Sequence, residues 1–170
     1  MDEQDNGGMQ GQDPFANGAD QAPAAGLISQ YVKDLSFENP NAPAIYQNET
    51  APEINVQFDI GASQIGEEVH EVVLKIEVRA TSNGQTAFIT ELSYAGLFGL
   101  RNIPAEHIQP FLLGEGPRLL FPFARRVVSD AIRDGGFPPL VLEPIDFNAL
   151  FLQQAQQQGI QFGDGQVGHA

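Results

Sequence analysis

A chain of 170 residues with 42% hydrophobic content is long enough for one domain with a modest core. Lys and Arg number 8 against 22 Asp and Glu, a formal net charge of -14. No basic stripe is left for a phosphate backbone, so nucleic acid is excluded as a partner. With no cysteine, disulfides and thiol nucleophiles are excluded too, and zinc would have to rest on His and carboxylates alone.

Residues 1–26 are rich in Gly, Gln, Asn, Asp and Ala with Phe15 as the lone aromatic. Such a segment cannot repay the entropy of ordering and is expected to be an acidic, disordered start. It also lacks the basic region and apolar run of a leader, and no later run is long enough to cross a bilayer. A cytoplasmic location without direct membrane insertion is expected. Residues 27–158 are expected to form the folded unit, and the Gly- and Gln-rich residues 159–170 a second disordered end.

Within that unit strands come first and helices later, which predicts an α+β fold on an antiparallel sheet. The first strand runs from about Ile28 to Glu38, with Leu35 and Phe37 on one face and Asp34, Ser36 and Glu38 on the other. A linker from Asn39 to Glu53 carries Pro40, Pro43 and Pro52 yet also Ile45 and Tyr46. Connections this long inside a compact domain are uncommon and often functional. The second strand, Ile54 to Ile60, alternates in the same way. Glu67-Glu68-Val69-His70-Glu71 is no zincin motif, because a second His is missing at the required spacing and the segment alternates as a strand.

The third strand sets Val72, Leu74, Ile76, Val78 and Ala80 against Val73, Lys75, Glu77, Arg79 and Thr81. The fourth sets Phe88, Thr90, Leu92 and Tyr94 against Ala87, Ile89, Glu91 and Ser93. Asn83-Gly84 between them marks a hairpin. A two-residue turn would put Glu91 opposite Ile76 on the apolar stripe, so a three-residue loop, Asn83 to Gln85, is expected. Ser82 then pairs with Thr86, Ile76 with Leu92, Leu74 with Tyr94, and Glu77 with Glu91 on the wet face. Two carboxylates facing each other do nothing for the fold, and such a face suits a basic partner.

Gly114-Glu115-Gly116 lacks the spacing and Lys of a phosphate loop and reads as a plain turn between helices. Pro117 to Asp134 follows as a long helix whose apolar band is Leu120, Phe123, Ala124, Val127, Val128 and Ala131, stopped by Gly135-Gly136. A last helix opens at Asp146 as N-cap and carries Phe147, Leu150 and Phe151 at helical spacing. His70, His107 and His169 fall in three unrelated contexts, so no metal, cofactor or catalytic residue is predicted and no enzyme is expected. Two readings of Ile45, Tyr46, Phe147 and Phe151 are open. They line an apolar groove for extended peptide, or they cover the core.

Val32-Lys33-Asp34-Leu35-Ser36-Phe37-Glu38-Asn39-Pro40-Asn41-Ala42-Pro43 resembles the signature at the first strand of SecB chaperones. Glu71-Val72-Val73-Leu74 and Thr86-Ala87-Phe88 resemble that family's central hairpin. Leu120-Phe121-Pro122-Phe123-Ala124-Arg125 resembles its long helix, and Gly136-Phe137-Pro138 with Phe147-Asn148-Ala149-Leu150-Phe151 its final helix. The resemblance implies a four-stranded antiparallel sheet with crossing connections and both helices on one face, assembled as a homotetramer, a dimer of dimers. It implies ATP-independent holding of unfolded precursor proteins and their transfer to the SecA ATPase. The positions it implies for SecA binding are Asp34, Glu38, Ile89 and Glu91, and for the client groove Ile45, Tyr46, Phe147 and Phe151. Thr50 stands where some members carry a bulky aromatic, which implies a shallower groove there. The rivals are a small α+β enzyme or ligand-binding domain using Tyr46, Phe147 and Arg125, and a non-chaperone adaptor with an acidic docking face.

Overall fold

A computed structural model describes residues 21–157. The expected disordered ends therefore lie mostly outside the described residues. Four strands, β1 (Ala24–Glu38), β2 (Glu53–Gly66), β3 (Val69–Ser82) and β4 (Gln85–Arg101), form one antiparallel sheet in the order β1-β4-β3-β2. The chain thus crosses from the β1 edge to the β2 edge through the 39–52 linker before closing two hairpins. β1 begins at Ala24, before the boundary expected at Leu27, because β4 runs to Arg101 and offers Arg101, Leu100 and Gly99 as partners for Ala24, Ala25 and Gly26. Backbone pairing of this kind needs no apolar side chains.

The apolar stripe expected on β3 and β4 is buried, with Val72, Leu74, Ile76, Val78 and Ala80 beside Phe88, Leu92, Tyr94 and Phe98. Ile76 pairs with Leu92, Leu74 with Tyr94 and Glu77 with Glu91, as the alternation requires. The loop is different from the expected one. Asn83 and Gly84 form a two-residue turn with φ 50 and 75, Ser82 pairs with Gln85, and Thr81 with Thr86. Register is restored by a bulge, since Ala80 pairs with Phe88 and Ala87 is the extra residue. A tight primed turn matches the twist of the strands, and one bulge corrects the parity that the turn upsets.

Helices cover one face. A short helix α1 (Ala105–Pro110) leads through a π-helical turn, Phe111–Glu115, into α2 (Gly116–Asp134), and α3 (Phe147–Gln157) follows an irregular stretch. Gly114-Glu115-Gly116 is therefore part of a helical run and not a turn between helices. Both glycines are buried, and a Cβ at Gly114 would meet the side chain of Asn148 while one at Gly116 would lie 3.2 Å from Val72 Cγ2. They serve close approach of α3 and β3 to the helical run.

On α2 the row Leu120, Ala124, Val128 and Ile132 is fully buried against the sheet. Gly96 makes room for it, since a Cβ there would sit 2.7 Å from Leu120 Cδ2. Phe123 of the expected band is 43% exposed, and Val127 and Ala131 are half-buried, because one sheet covers only the inner side of so broad a stripe. The helix ends in a Schellman arrangement, in which Gly136 at φ 84 bonds to Arg133 O and Phe137 N to Ile132 O. That reversal drops Phe137 onto Phe88, ring centroids 4.8 Å apart.

Candidate functional site

The sheet carries α2 on one face and charge on the other. On the charged face Glu38 pairs with Ile89, Ser36 with Glu91 and Asp34 with Ser93, so the four expected docking residues occupy three successive cross-strand rows. β3 continues those rows with Arg79, Glu77 and Lys75, and β2 with Asn55, Gln57 and Asp59. Asp34, Glu38 and Glu91 are exposed and Ile89 is half-buried. Glu77 faces Glu91 and is relieved by Arg79 at 3.4 Å, a solvated pair that adds little to stability. β1 keeps its polar side on this face only because it carries two bulges, at Ile28 and at Lys33. Without the second, Leu35 and Phe37 would point outward and Asp34 and Glu38 inward.

Beyond those rows lies a cluster that alternation alone does not reveal. Glu71 on β3 accepts a hydrogen bond from the Tyr31 hydroxyl and pairs with Lys33 Nζ at 2.6 Å, reaching both β1 side chains across β4. The Lys33 ammonium and the Tyr31 hydroxyl hold the Glu71 carboxyl below its ordinary range. Bonding to that carboxylate in turn pushes the Tyr31 phenol up to about 12.

At the opposite end of the molecule the 39–52 linker straps the open edge of the core. Its short 3-10 turn, Ala44–Gln47, buries Ile45 and leaves Tyr46 48% exposed. The Tyr46 hydroxyl donates to Gly135 O at 2.7 Å and accepts from Asn39 Nδ2 at 2.7 Å, while Asn39 also reaches Gly135 O at 3.2 Å. Asn41 Nδ2 donates to Thr86 O at 2.8 Å beside the bulge. The strap is thus tied to the free carbonyl at the end of α2 and to β4. Beneath it opens a cavity of about 330 Å³ walled by Ile45, Tyr46, Thr50, Pro52, Ala87 and Phe137. The Tyr46 and Phe137 rings stand 5.4 Å apart.

Of the four expected groove residues, Ile45 and Tyr46 meet in this cavity and Phe147 does not. Phe147 is 1% exposed and packs edge-on to Phe58 and Phe121, with centroids 6.3 and 5.6 Å away. It is a core residue, because Asp146 caps α3 through Ala149 N at 3.0 Å and the first turn then points inward. Phe151, one turn on, is half-buried and outside the cavity wall. Arg125 lies over the Phe121 ring and donates to Leu142 O at 3.2 Å, so Tyr46, Phe147 and Arg125 do not share a pocket. Sequence reasoning missed Phe137 and Ala87 as wall residues. The Gly135-Gly136 stop was the signal for the first, since a chain reversed there returns its next side chain to the sheet.

Comparison with known proteins agrees with this architecture. The family model described as Preprotein translocase subunit SecB matches residues 18–158. The chain is 66% identical over 146 residues to the protein-export protein SecB of Rhizorhabdus wittichii, covering 86% of this chain and 88% of that one. It is 63% identical over 150 residues to that of Sphingopyxis alaskensis, covering 88% and 87%. Among solved structures, the fold resembles the SecB-like chaperone Rv1957 of Mycobacterium tuberculosis, determined with a ChAD peptide from the HigA1 antitoxin. The TM-score is 0.61 at 18% identity, over 71% of this chain and 90% of the other. The chain therefore belongs to the SecB family of protein-export chaperones.

Proposed function

We propose that the protein holds unfolded precursor proteins in the cytoplasm without ATP and delivers them to the SecA ATPase. The observation that carries this is the separation of two surfaces on one rigid sheet. Asp34, Glu38 and Glu91, with Ile89 among them, stand on three adjacent rows of the charged face. The apolar cavity under the strap opens at the end of α2. Exposed carboxylates on paired strands lose little entropy on docking and steer a basic surface. The walls of the cavity are mainly apolar, with Asn48, Glu49, Thr50 and Ser82 among them, which suits extended segments of many sequences. Ile45, Tyr46 and Phe137 are assigned to client contact, with Phe151 at the margin and Phe147 as support from below.

Assembly as a tetramer, a dimer of dimers, completes the proposal. Phe123 on the outer side of α2 and Val32 and Leu35 on the edge strand are 43%, 46% and 44% exposed. Apolar side chains in that number on a helix and its neighbouring strand suit burial against further copies. The test is mass measurement by light scattering, with and without a reduced, unfolded model protein. A tetramer that takes up the unfolded protein and ignores its folded form is expected. A monodisperse monomer indifferent to both would overturn the proposal.

A further inference from the structure

The Lys33 side chain sits where it ought to harm an acidic docking face. It is the bulged residue between Val32 and Asp34, next in sequence to one docking carboxylate and one row from another strand's Ser93. Yet its ammonium points the other way. It reaches past the row of Tyr31, Ala95 and Val73 to Glu71, which lies one row further from Asp34, Glu38 and Glu91. β1 and β3 are two strand spacings apart, about 10 Å, so only long side chains meeting over a small residue span the gap. Ala95, fully buried between Tyr31 and Val73, is that small residue. Glu71 is held ready, with its side chain 14% exposed and its second oxygen bonded by Tyr31.

We infer that Glu71, oriented by Tyr31, is a specificity-determining residue for docking, because it draws the Lys33 ammonium off the face that a basic partner must approach. The inference rests on the docking role proposed above. The three docking rows carry the carboxylates Asp34, Glu38, Glu77, Glu91 and Asp59 against the cations Lys75 and Arg79, and Arg79 is already engaged by Glu77. Glu71 lies outside those rows and touches nothing that docks. Its effect is on where a positive charge stands. Released, Lys33 is free to turn to Asp34 beside it, which removes one carboxylate from the field and adds a cation where the partner brings its own.

The experiment compares association rates with SecA at low ionic strength for the full-length protein and four variants. Glu71→Gln keeps the shape and the hydrogen bond from Tyr31 but cannot hold the ammonium, and it should slow association roughly three- to tenfold. Glu106→Gln removes the same charge from α1 on the helical face and should slow it far less. Adding Lys33→Met to Glu71→Gln should restore the rate, a rescue that a purely structural clamp would not give. Glu91→Lys tests the docking face itself. If Glu91→Lys abolishes binding while Glu71→Gln behaves as Glu106→Gln, or the double variant stays slow, this inference falls and the docking face stands. If Glu91→Lys keeps full binding, the docking face falls and this inference with it.

Discussion

Replacing Tyr46 with Phe removes one hydroxyl and nothing else, and replacing it with Ala removes the wall of the cavity. The hydroxyl donates to Gly135 O at 2.7 Å, and that carbonyl keeps Asn39 Nδ2 at 3.2 Å as a second donor. The hydroxyl also accepts from Asn39 Nδ2 at 2.7 Å, and that donor keeps Gly135 O, so no buried group is orphaned and Tyr46→Phe should cost about 1–3 kcal/mol, the net worth of two hydrogen bonds. The ring is 48% exposed, so Tyr46→Ala forfeits about half of a buried aromatic, roughly 2 kcal/mol beyond the two hydrogen bonds. Urea unfolding at one fixed protein concentration measures both, because assembly makes stability concentration-dependent. Suppression of aggregation of an unfolded protein is then followed for each folded variant. Tyr46→Phe should hold clients as the parent does, since the ring still faces Phe137, and Tyr46→Ala should hold them more weakly. Equal loss of holding in both variants would show that the strap's tie to α2, and not an apolar wall, makes the site. No loss in either would assign the strap to covering the core.

Leu120→Ala empties the space made for it by Gly96 and should destabilise by about 2–5 kcal/mol in chemical denaturation, whereas Phe123→Ala on the outer side should change oligomer mass more than urea sensitivity. Gly136→Ala forces a side chain to φ 84 at the end of α2 and should cost about 1 kcal/mol or more while weakening the Phe137 contact, read by near-ultraviolet circular dichroism and urea unfolding. The Tyr31–Glu71 pair is sensitive to pH at both ends. Glu71 is lowered in the folded state, so its stabilisation is present above 4.5 and is lost as pH falls through the depressed folded value. Tyr31 is raised from 10.0 to about 12, so its stabilisation is present below 10 and is lost as pH rises through that window. Spectrophotometric titration should find one phenol ionising near 12, and Glu71→Ala, which removes the acceptor, should return it toward 10.0; a phenol unmoved by that substitution would deny the hydrogen bond.

The sheet was legible because two-residue periodicity leaves few registers that bury every apolar stripe. Glu77 opposite Glu91 followed from parity alone. The turn was not legible, since a three-residue loop and a two-residue turn with a bulge give the same register beyond Phe88, and nothing in Ala87 marks it as the extra residue. Phe147 and Phe151 have one spacing whether a helix faces a groove or a core, and only the cap at Asp146 and the Phe58–Phe121 pair decide that Phe147 goes inward. The charged face of the sheet was legible from alternation, but the clamp on it was not. Tyr31 and Lys33 lie 40 and 38 positions from Glu71 and meet it across the sheet, and a bulge aims Lys33.

The central claim is that one face of the sheet docks SecA and a separate cavity holds clients. Glu91→Lys tests it most directly, because residue 91 is exposed, opposite Ser36 and Glu77, and is not among the residues that wall the cavity. The measurement is SecA binding and retention of an unfolded protein by the same variant, over a range of salt. SecA binding should be lost, the parent's association rate should fall as salt rises, and the variant should still hold unfolded protein as a tetramer. Full SecA affinity at low salt, or loss of both activities in a folded tetramer, would contradict the account.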